Sequence, residues 1–292
     1  MKNTKYYVAT LVCLLLLFSN VRAFPLIPAL TSPPTNQVLP GKIIWADIFT
    51  ANVEQTINFY TEMFGWTVEK FESEGNDYLF FINNGKPVAG IVQQLSASKK
   101  SNHAVWINHI STADINETTN KASSKGAKII FPPKPFGTRG IDAIISDPQG
   151  ALLGLLESGS GDPIDTPAVL GAWVWAQLFS SDLEKTAEFY TSVFGYEVEQ
   201  ANHLENKDTY LFISNSKARA GIAPLPKDVS QRNRWVGFVS VDNINRSLVK
   251  AKKMGAKMIF SPNKTVLNGR IAIISDTSGA LIGLLSKAII KE

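Results

Sequence analysis

An acid and an indole share one face of the first predicted strand, and this pair is the first candidate for chemistry in the chain. Asp47 lies two residues after Trp45, so both side chains point to the same side of an extended segment. A carboxylate among apolar groups has a raised pKa and can act as a base or as a clamp on a ligand. The alternative is a hydrogen-bonded carboxylate near a strand end, with no part in chemistry.

Histidine and arginine supply few further candidates. His109 falls in a later alternating segment, where it can serve as a base or simply pack. His103 and His203 have no ligand-like partner in the sequence. Arg270, in a Gly-Arg-Ile-Ala segment, and its shifted counterpart Arg139 can each hold an anion at a cleft mouth, or be solvated at the surface.

Composition and missing motifs exclude several classes of function. The only cysteine, Cys13, lies in an N-terminal apolar stretch, so the remaining chain has no thiolate nucleophile or thiolate metal site. The chain has no Gly-rich phosphate loop and no Gly-x-Ser-x-Gly motif. The net charge of +4 falls close to zero once the three basic residues of 1–23 are left out. We therefore expect no nucleic-acid partner.

The first forty residues predict export followed by a tether. Lys2 and Lys5 precede the apolar stretch Tyr6–Phe18, which is too short to span a bilayer. A Val-Arg-Ala sequence then predicts signal-peptidase cleavage after Ala23, leaving no stable membrane span. An uncleaved anchor is the alternative. Residues 24–40 contain five prolines and are expected to form an extended tether.

An internal duplication organises the rest of the chain. Gly41-Lys-Ile-Ile-Trp-Ala-Asp-Ile-Phe-Thr repeats as Gly171-Ala-Trp-Val-Trp-Ala-Gln-Leu-Phe-Ser, and Gly150-Ala-Leu repeats as Gly279-Ala-Leu. The repeat predicts two domains joined by a linker rich in Gly, Ser and Pro. Their expected ranges are residues 41–158 for the first domain, 159–169 for the linker and 170–287 for the second domain.

Each copy carries two smaller βαβββ units. In the first unit, residues 43–50 alternate as a strand does, and Asn52 is a candidate helix N-cap. The helix that follows ends at Gly65. Its predicted apolar face consists of Val53, Ile57, Tyr60 and Phe64. The same pattern restarts at residue 103 and occurs twice more in the second copy, which predicts an α+β fold with four units.

The helix and turn motifs resemble the vicinal oxygen chelate superfamily of glyoxalase, bleomycin-resistance and extradiol dioxygenase proteins, in particular a tandem glyoxalase-like subgroup. The helix starts Val53-Glu-Gln-Thr and Leu183-Glu-Lys-Thr, both continuing to Phe-Tyr, carry the resemblance together with turns at Asp147 and Asp276. The resemblance implies two tandem domains. Each would be a pair of βαβββ modules that form a curved mixed sheet around a cleft, with helices outside.

The family's metalloenzymes hold a metal through His or Gln on the first strand, His on the first strand of the second unit, and Glu on the last strand. The matching positions here are Trp45, Ile107 and Gly154 in the first copy, and Trp175, Val236 and Gly283 in the second. None of these side chains can ligate a metal. The resemblance therefore implies no metal at the family site in either cleft, and we expect no cofactor.

The glycines at the last-strand position leave room above the sheet. We expect the indole of Trp45 above Gly154, and that of Trp175 above Gly283, to form an apolar wall for an aromatic ligand. The alternative is that each indole fills the cavity as core. Two further differences separate the copies and favour the first cleft, should only one be active: Gln177 stands for Asp47, and Phe238 for His109.

Three functional hypotheses follow. The leading one is an exported, metal-free glyoxalase-like protein that binds a small apolar or aromatic molecule. The second is a lyase, isomerase or dioxygenase of this superfamily, with a divalent metal held at shifted positions by Asp47, His109 or Glu157. The third is a structural or partner-binding module with closed clefts. The sequence identifies neither the ligand nor the oligomeric state.

Overall fold

The computed structural model describes residues 27–73, 76–94, 104–201, 209–225 and 232–286. The predicted signal peptide, Cys13, His103 and His203 lie outside these ranges. Within the described ranges, no helix is long and apolar enough to cross a membrane.

The first copy folds into one mixed sheet with two helices. Its strand order is β2-β3-β4-β1-β5-β8-β7-β6, so the two half-sheets meet at the β1–β5 pair. The elements are β1 Ile43–Thr50, α1 Val53–Phe64, β2 Thr67–Ser73, β3 Asn76–Asn83, β4 Lys86–Gln93, β5 Val105–Ser111, α2 Ile115–Ser124, β6 Lys128–Pro135, β7 Gly140–Ser146 and β8 Leu152–Ser158.

The second copy repeats this topology with the order β10-β11-β12-β9-β13-β16-β15-β14. The predicted α+β class, with two tandem domains of paired βαβββ units, is confirmed. The elements are β9 Trp173–Ser180, α3 Leu183–Phe194, β10 Glu197–Gln200, β11 Tyr210–Ser214, β12 Lys217–Pro224, β13 Arg234–Val241, α4 Ile244–Lys253, β14 Lys257–Phe260, β15 Ile271–Ser275 and β16 Leu281–Ser286.

Local signals fix both ends of α1, while tertiary packing decides which face is buried. The Asn52 side chain accepts the backbone N–H of Gln55 at 3.1 Å, and Gly65 ends the helix with φ of 73°. The fully buried face differs from the predicted one, because α1 packs between its own sheet and α4 of the other copy. That face consists of Thr56, Phe59, Tyr60 and Met63, while Val53, Ile57 and Phe64 are partly buried.

The helix-side cores of the two copies are shared. One apolar cluster joins α1 and its strands to α4 and strands of the second copy, and another joins α2 to α3. Hydrogen bonds cross the same boundary: the Tyr60 hydroxyl donates to Asp276 at 2.8 Å, and the Tyr190 hydroxyl donates to Asp147 at 3.1 Å. The two clefts therefore lie on the faces of the sheets that point away from this shared core.

Residues 27–40 pack on the first domain, whereas the sequence predicted an extended tether. Ile27 is only 4% exposed. The backbone N–H of Thr31 donates to the Ser160 side chain at 3.0 Å, and that of Leu39 to Asp162 at 2.6 Å. The prolines prevent a regular ladder, but the remaining backbone groups bond to the start of the linker.

Candidate functional site

The first cleft holds Trp45 and Asp47 on the central strand β1. Both side chains are buried, with 5% and 3% exposure. The Trp45 indole N–H donates to Asp47 Oδ1 at 2.9 Å, and the Tyr78 hydroxyl, from β3, donates to the same oxygen. Two neutral donors therefore fix this carboxylate and leave Oδ2 turned towards β5.

His109 lies beside Asp47 and brings in a second acid, Asp142 from β7. Its Nε2 atom is 3.5 Å from Asp47 Oδ2 and 3.3 Å from Asp142 Oδ1, and the imidazole is 1% exposed. Among the described residues, neither His109 nitrogen nor Asp142 Oδ1 has a partner in hydrogen-bond geometry. The arrangement is a buried acid–histidine–acid group with unsatisfied donor and acceptor atoms.

Burial governs the proton affinities in this group. It raises the pKa of Asp47; the Asp142 charge adds to the effect, and His109 opposes it. Burial alone lowers the pKa of His109, but the carboxylates of Asp142 and Asp47 together outweigh it, so the pKa is raised. Burial also raises the pKa of Tyr78 well above its usual value, so this hydroxyl stays protonated as a donor.

Arg139 closes the first cleft from inside, although the sequence favoured a solvated arginine. Its guanidinium carbon lies 3.7 Å from the centroid of the Trp45 ring and 4.9 Å from that of Phe80, and the residue is 1% exposed. Its Nη2 donates to the Pro28 carbonyl at 3.2 Å. Ile27 packs in the same cluster as Trp45 and Phe80. The docked N-terminal segment thus covers this cleft.

The space above the last-strand glycines is taken by other rings than we expected. A Cβ at Gly154 would lie 2.2 Å from the His109 ring, and one at Gly283 would lie 2.2 Å from the Phe238 ring. The strands explain this, because His109 pairs with Gly154 in register, and Phe238 with Gly283. The indoles of Trp45 and Trp175 therefore do not fill these positions.

The second cleft is open and apolar. It contains a cavity of about 630 Å³. The Trp175 indole N–H donates to Gln177 Oε1 at 3.2 Å, while Gln177 Nε2 has no partner among the described residues. Its lining includes Trp175, Gln177, Thr209, Leu211, Phe238 and Ile271.

Two residues of the sequence hypotheses have structural roles instead. Arg270 does not line the second cavity; its guanidinium donates to the backbone carbonyls of Leu267 at 3.1 Å and Ser286 at 3.4 Å. Glu157 accepts the backbone N–H of Ile115 at 2.9 Å at the start of α2. Glu157 therefore does not join Asp47 and His109 as a shifted metal ligand, and Asp142 takes that place.

A metal fits one set of residues in the first domain, but not the family positions. Trp45, Ile107 and Gly154 offer no metal-donor atom, and the three matching residues of the second copy offer none either. In contrast, one ligand atom each of Asp47, His109 and Asp142 lies within 4.8 Å of the other two. Oxygen and imidazole donors of this kind suit first-row divalent ions.

Sequence reasoning missed three groups of residues around the clefts: Asp142, Tyr78 and the glycines beneath Asp47 and Gln177. A Cβ at Gly90 would lie 2.0 Å from Asp47 Oδ1, and one at Gly221 would lie 2.3 Å from Gln177 Oε1. The repeated Ala-Gly-Ile at these glycines was a usable signal. Tyr78 and Asp142 gave none, because their strands reach the cleft only through long-range pairing.

Comparison with known proteins agrees with this architecture. The family model for the Glyoxalase/Bleomycin resistance protein/Dioxygenase superfamily matches residues 42–155 and 173–284. The protein CFP32 of Mycobacterium bovis, named provisionally as a glyoxylase, is 24% identical over 258 residues, which cover 88% of this chain and 98% of CFP32.

Two further relatives extend the comparison. The anthracycline biosynthesis protein DauV of a Streptomyces species is 24% identical over 253 residues, covering 82% of this chain and 91% of DauV. The Mn(II)-bound glyoxalase from Novosphingobium aromaticivorans superposes with a TM-score of 0.57 at 16% identity, covering 85% of this chain and 83% of that one. The chain therefore belongs to the Glyoxalase/Bleomycin resistance protein/Dioxygenase superfamily.

Proposed function

We propose that the protein binds a small, neutral, largely aromatic molecule in the cleft of the second domain. The cavity of about 630 Å³ carries this proposal, because its size is in the usual range for small-molecule sites. Trp175 and the other aromatic side chains of the lining offer ring faces and edges for stacking.

The lining also restricts the ligand's charge. Among the described residues, no charged side chain lines this cavity, and its polar side chains are those of Gln177, Thr209 and Thr265 apart from the Trp175 indole N–H. An ion placed there would lose its hydration without a compensating partner. The ligand is therefore neutral.

One amide supplies orientation. Gln177 Oε1 is engaged by the Trp175 indole, whereas Gln177 Nε2 is a buried donor with no partner among the described residues. A ligand that carries a carbonyl or ether oxygen at one edge would satisfy this donor, and a buried donor left unmatched costs about 1–3 kcal/mol. The favoured ligand class is a planar ring system with one such acceptor.

The relative DauV supports an aromatic ligand, since it is named for anthracycline biosynthesis and anthracyclines contain fused rings. The second cleft offers no acid, base or nucleophile among the described lining residues. The proposed role of this cleft is therefore binding, without a metal, and not turnover.

The proposal includes export. Cleavage after Ala23 would release a chain that begins shortly before the docked segment. N-terminal sequencing of protein recovered outside the cytoplasm is expected to start at Phe24, and an intact Met1 terminus on that protein would contradict this part.

A ligand screen tests the binding role directly. Neutral naphthoquinones, anthraquinones and flavones are added to the full chain, and binding is followed by thermal shift and tryptophan quenching. At least one of these probes is expected to bind, and Trp175→Ala to weaken it about tenfold or more, since ring stacking contributes about 0.5–1.5 kcal/mol beyond buried area. Gln177→Leu is expected to weaken carbonyl-bearing probes selectively.

The matched control is Trp45→Phe, which changes the other cleft and is expected to leave probe affinity unchanged. Absence of binding by every probe class would contradict the proposal. So would a Trp175→Ala variant that binds as tightly as the parent.

A further inference from the structure

The acid–histidine–acid group of the first domain has the geometry of a ligand set. Its three donor atoms, Asp47 Oδ2, His109 Nε2 and Asp142 Oδ1, come from three different strands of one sheet face. The Nε2 atom lies 3.5 Å and 3.3 Å from the two oxygens, spacings that fit donors each about 2.0–2.2 Å from a common ion.

These donors are unsatisfied although they are buried. His109 is 1% exposed, and its Nε2 has no hydrogen-bond partner among the described residues; Asp142 Oδ1 has none either. Buried polar atoms in folded proteins nearly always have partners, so a set of such atoms that faces a common point indicates a missing ion or water.

The charges in the group point to a cation. Among the described residues, His109 is the only basic side chain within 4.0 Å of either carboxylate. Arg139 does not neutralise them in a direct pair, because its guanidinium stacks on Trp45 and donates to Pro28. Two buried carboxylates beside one neutral imidazole carry two negative charges, and burial without compensation costs several kcal/mol per ion.

We propose that Asp47, His109 and Asp142 bind one first-row divalent metal ion, such as Mn²⁺, Fe²⁺ or Zn²⁺, in the first domain. A dication balances the two carboxylates, and the oxygen–nitrogen–oxygen donor set suits these ions. The docked residues Ile27 and Pro28 cover the group, so this ion stabilises the first domain.

The second copy provides an internal control. The residues at the three matching positions are Gln177, Phe238 and Ile271, none of which can supply a carboxylate or an imidazole. The proposal therefore requires one metal ion per chain. This stoichiometry is independent of ligand binding in the second cleft.

The test uses the full chain after chelator treatment and dialysis. Mn²⁺ is titrated in and followed by the loss of the free-ion EPR signal, and Zn²⁺ is measured by elemental analysis after gel filtration. We expect about one equivalent per chain together with a rise in Tm. Asp142→Asn, which keeps the side-chain volume, is expected to weaken Mn²⁺ binding about tenfold or more. Glu62→Gln, at an exposed acid, is the matched control and is expected to bind as the parent does.

Circular dichroism of the metal-free variants separates loss of the site from loss of the fold, and the parent's stoichiometry stands apart from either variant. The proposal is overturned if the parent takes up no Mn²⁺ or Zn²⁺ and shows no rise in Tm. It is also overturned if folded Asp142→Asn retains the parent's affinity, or if Glu62→Gln loses as much affinity as Asp142→Asn.

Discussion

The two clefts share a sheet topology and a central pair of strands, yet one is filled and polar while the other is open and apolar. Register pairs the positions that differ. In the order first cleft to second cleft, these are Asp47 and Gln177, Tyr78 and Thr209, Phe80 and Leu211, His109 and Phe238, and Asp142 and Ile271.

What the clefts have in common lies in the backbone. Gly90 and Gly221 make room for the carboxylate or amide on the first strand, while Gly154 and Gly283 make room for the ring on the neighbouring one. The sheet therefore supplies the same two recesses in each copy, and the side chains placed in them decide between a closed polar group and a binding cavity. The following experiments test this contrast.

Truncating the first-strand indole should separate the two clefts most strongly. Trp45 is packed between Arg139 and Phe80, so Trp45→Ala is expected to lower the free energy of unfolding by about 3–5 kcal/mol. Trp175 borders an open cavity, so Trp175→Ala should cost only about 1–2 kcal/mol. Urea unfolding measures both, and equal losses would mean that the first cleft is not the better packed one.

Shortening the covering side chain should affect only the first cleft. Ile27→Ala is expected to lower the free energy of unfolding by about 2 kcal/mol, since Ile27 packs with Trp45 and Phe80. Val266→Ala, at the wall of the open cavity, should cost about 1 kcal/mol or less. Thermal melts of both variants check this, and an unchanged Tm for Ile27→Ala would show that residues 27–40 do not seal the cleft.

A methyl group at the last-strand glycines should harm both copies alike. Gly154→Ala places a Cβ 2.2 Å from the His109 ring, and Gly283→Ala places one 2.2 Å from Phe238. We expect a loss of about 1–3 kcal/mol in each, the usual cost of overpacking. Chemical denaturation gives the two values. A silent substitution in one copy would reveal that the ring in that cleft can move aside.

Removing Arg270 should have the smallest effect. Its guanidinium bonds to backbone carbonyls and is not part of the cavity lining, so Arg270→Ala is expected to cost about 1 kcal/mol or less. Affinity for the aromatic probes should stay at the parent value. A marked drop in that affinity would restore Arg270 as a residue of the cleft mouth.

The sequence predicts the duplication, the fold and part of each cleft. Alternation along a strand is local, so the shared face of Trp45 and Asp47 follows from their spacing alone. The partners of Asp47 do not follow, because Tyr78 and Asp142 arrive from strands β3 and β7. The register of β7 against β6 contains two irregularities, and no local rule in a single sequence specifies these.

The same limit explains two differences in the surroundings of the first cleft. Prolines predict a segment without regular structure, and residues 27–40 indeed form no helix or strand. Their docking depends on bonds to residues 160–162, more than a hundred positions away. Arg139 is buried for a related reason, since a guanidinium can lie in a core when rings and a carbonyl receive it.

The hydrogen bonds from Tyr60 to Asp276 and from Tyr190 to Asp147 have a consequence for expression of the separate halves. Each tyrosine needs a carboxylate from the other copy, and each helix-side core is completed by the other copy. A fragment ending near residue 158 would therefore present a large apolar face and a buried-type hydroxyl to water. Coexpressed as separate polypeptides, the two halves should associate as a heterodimer, with each cleft still formed within its own half.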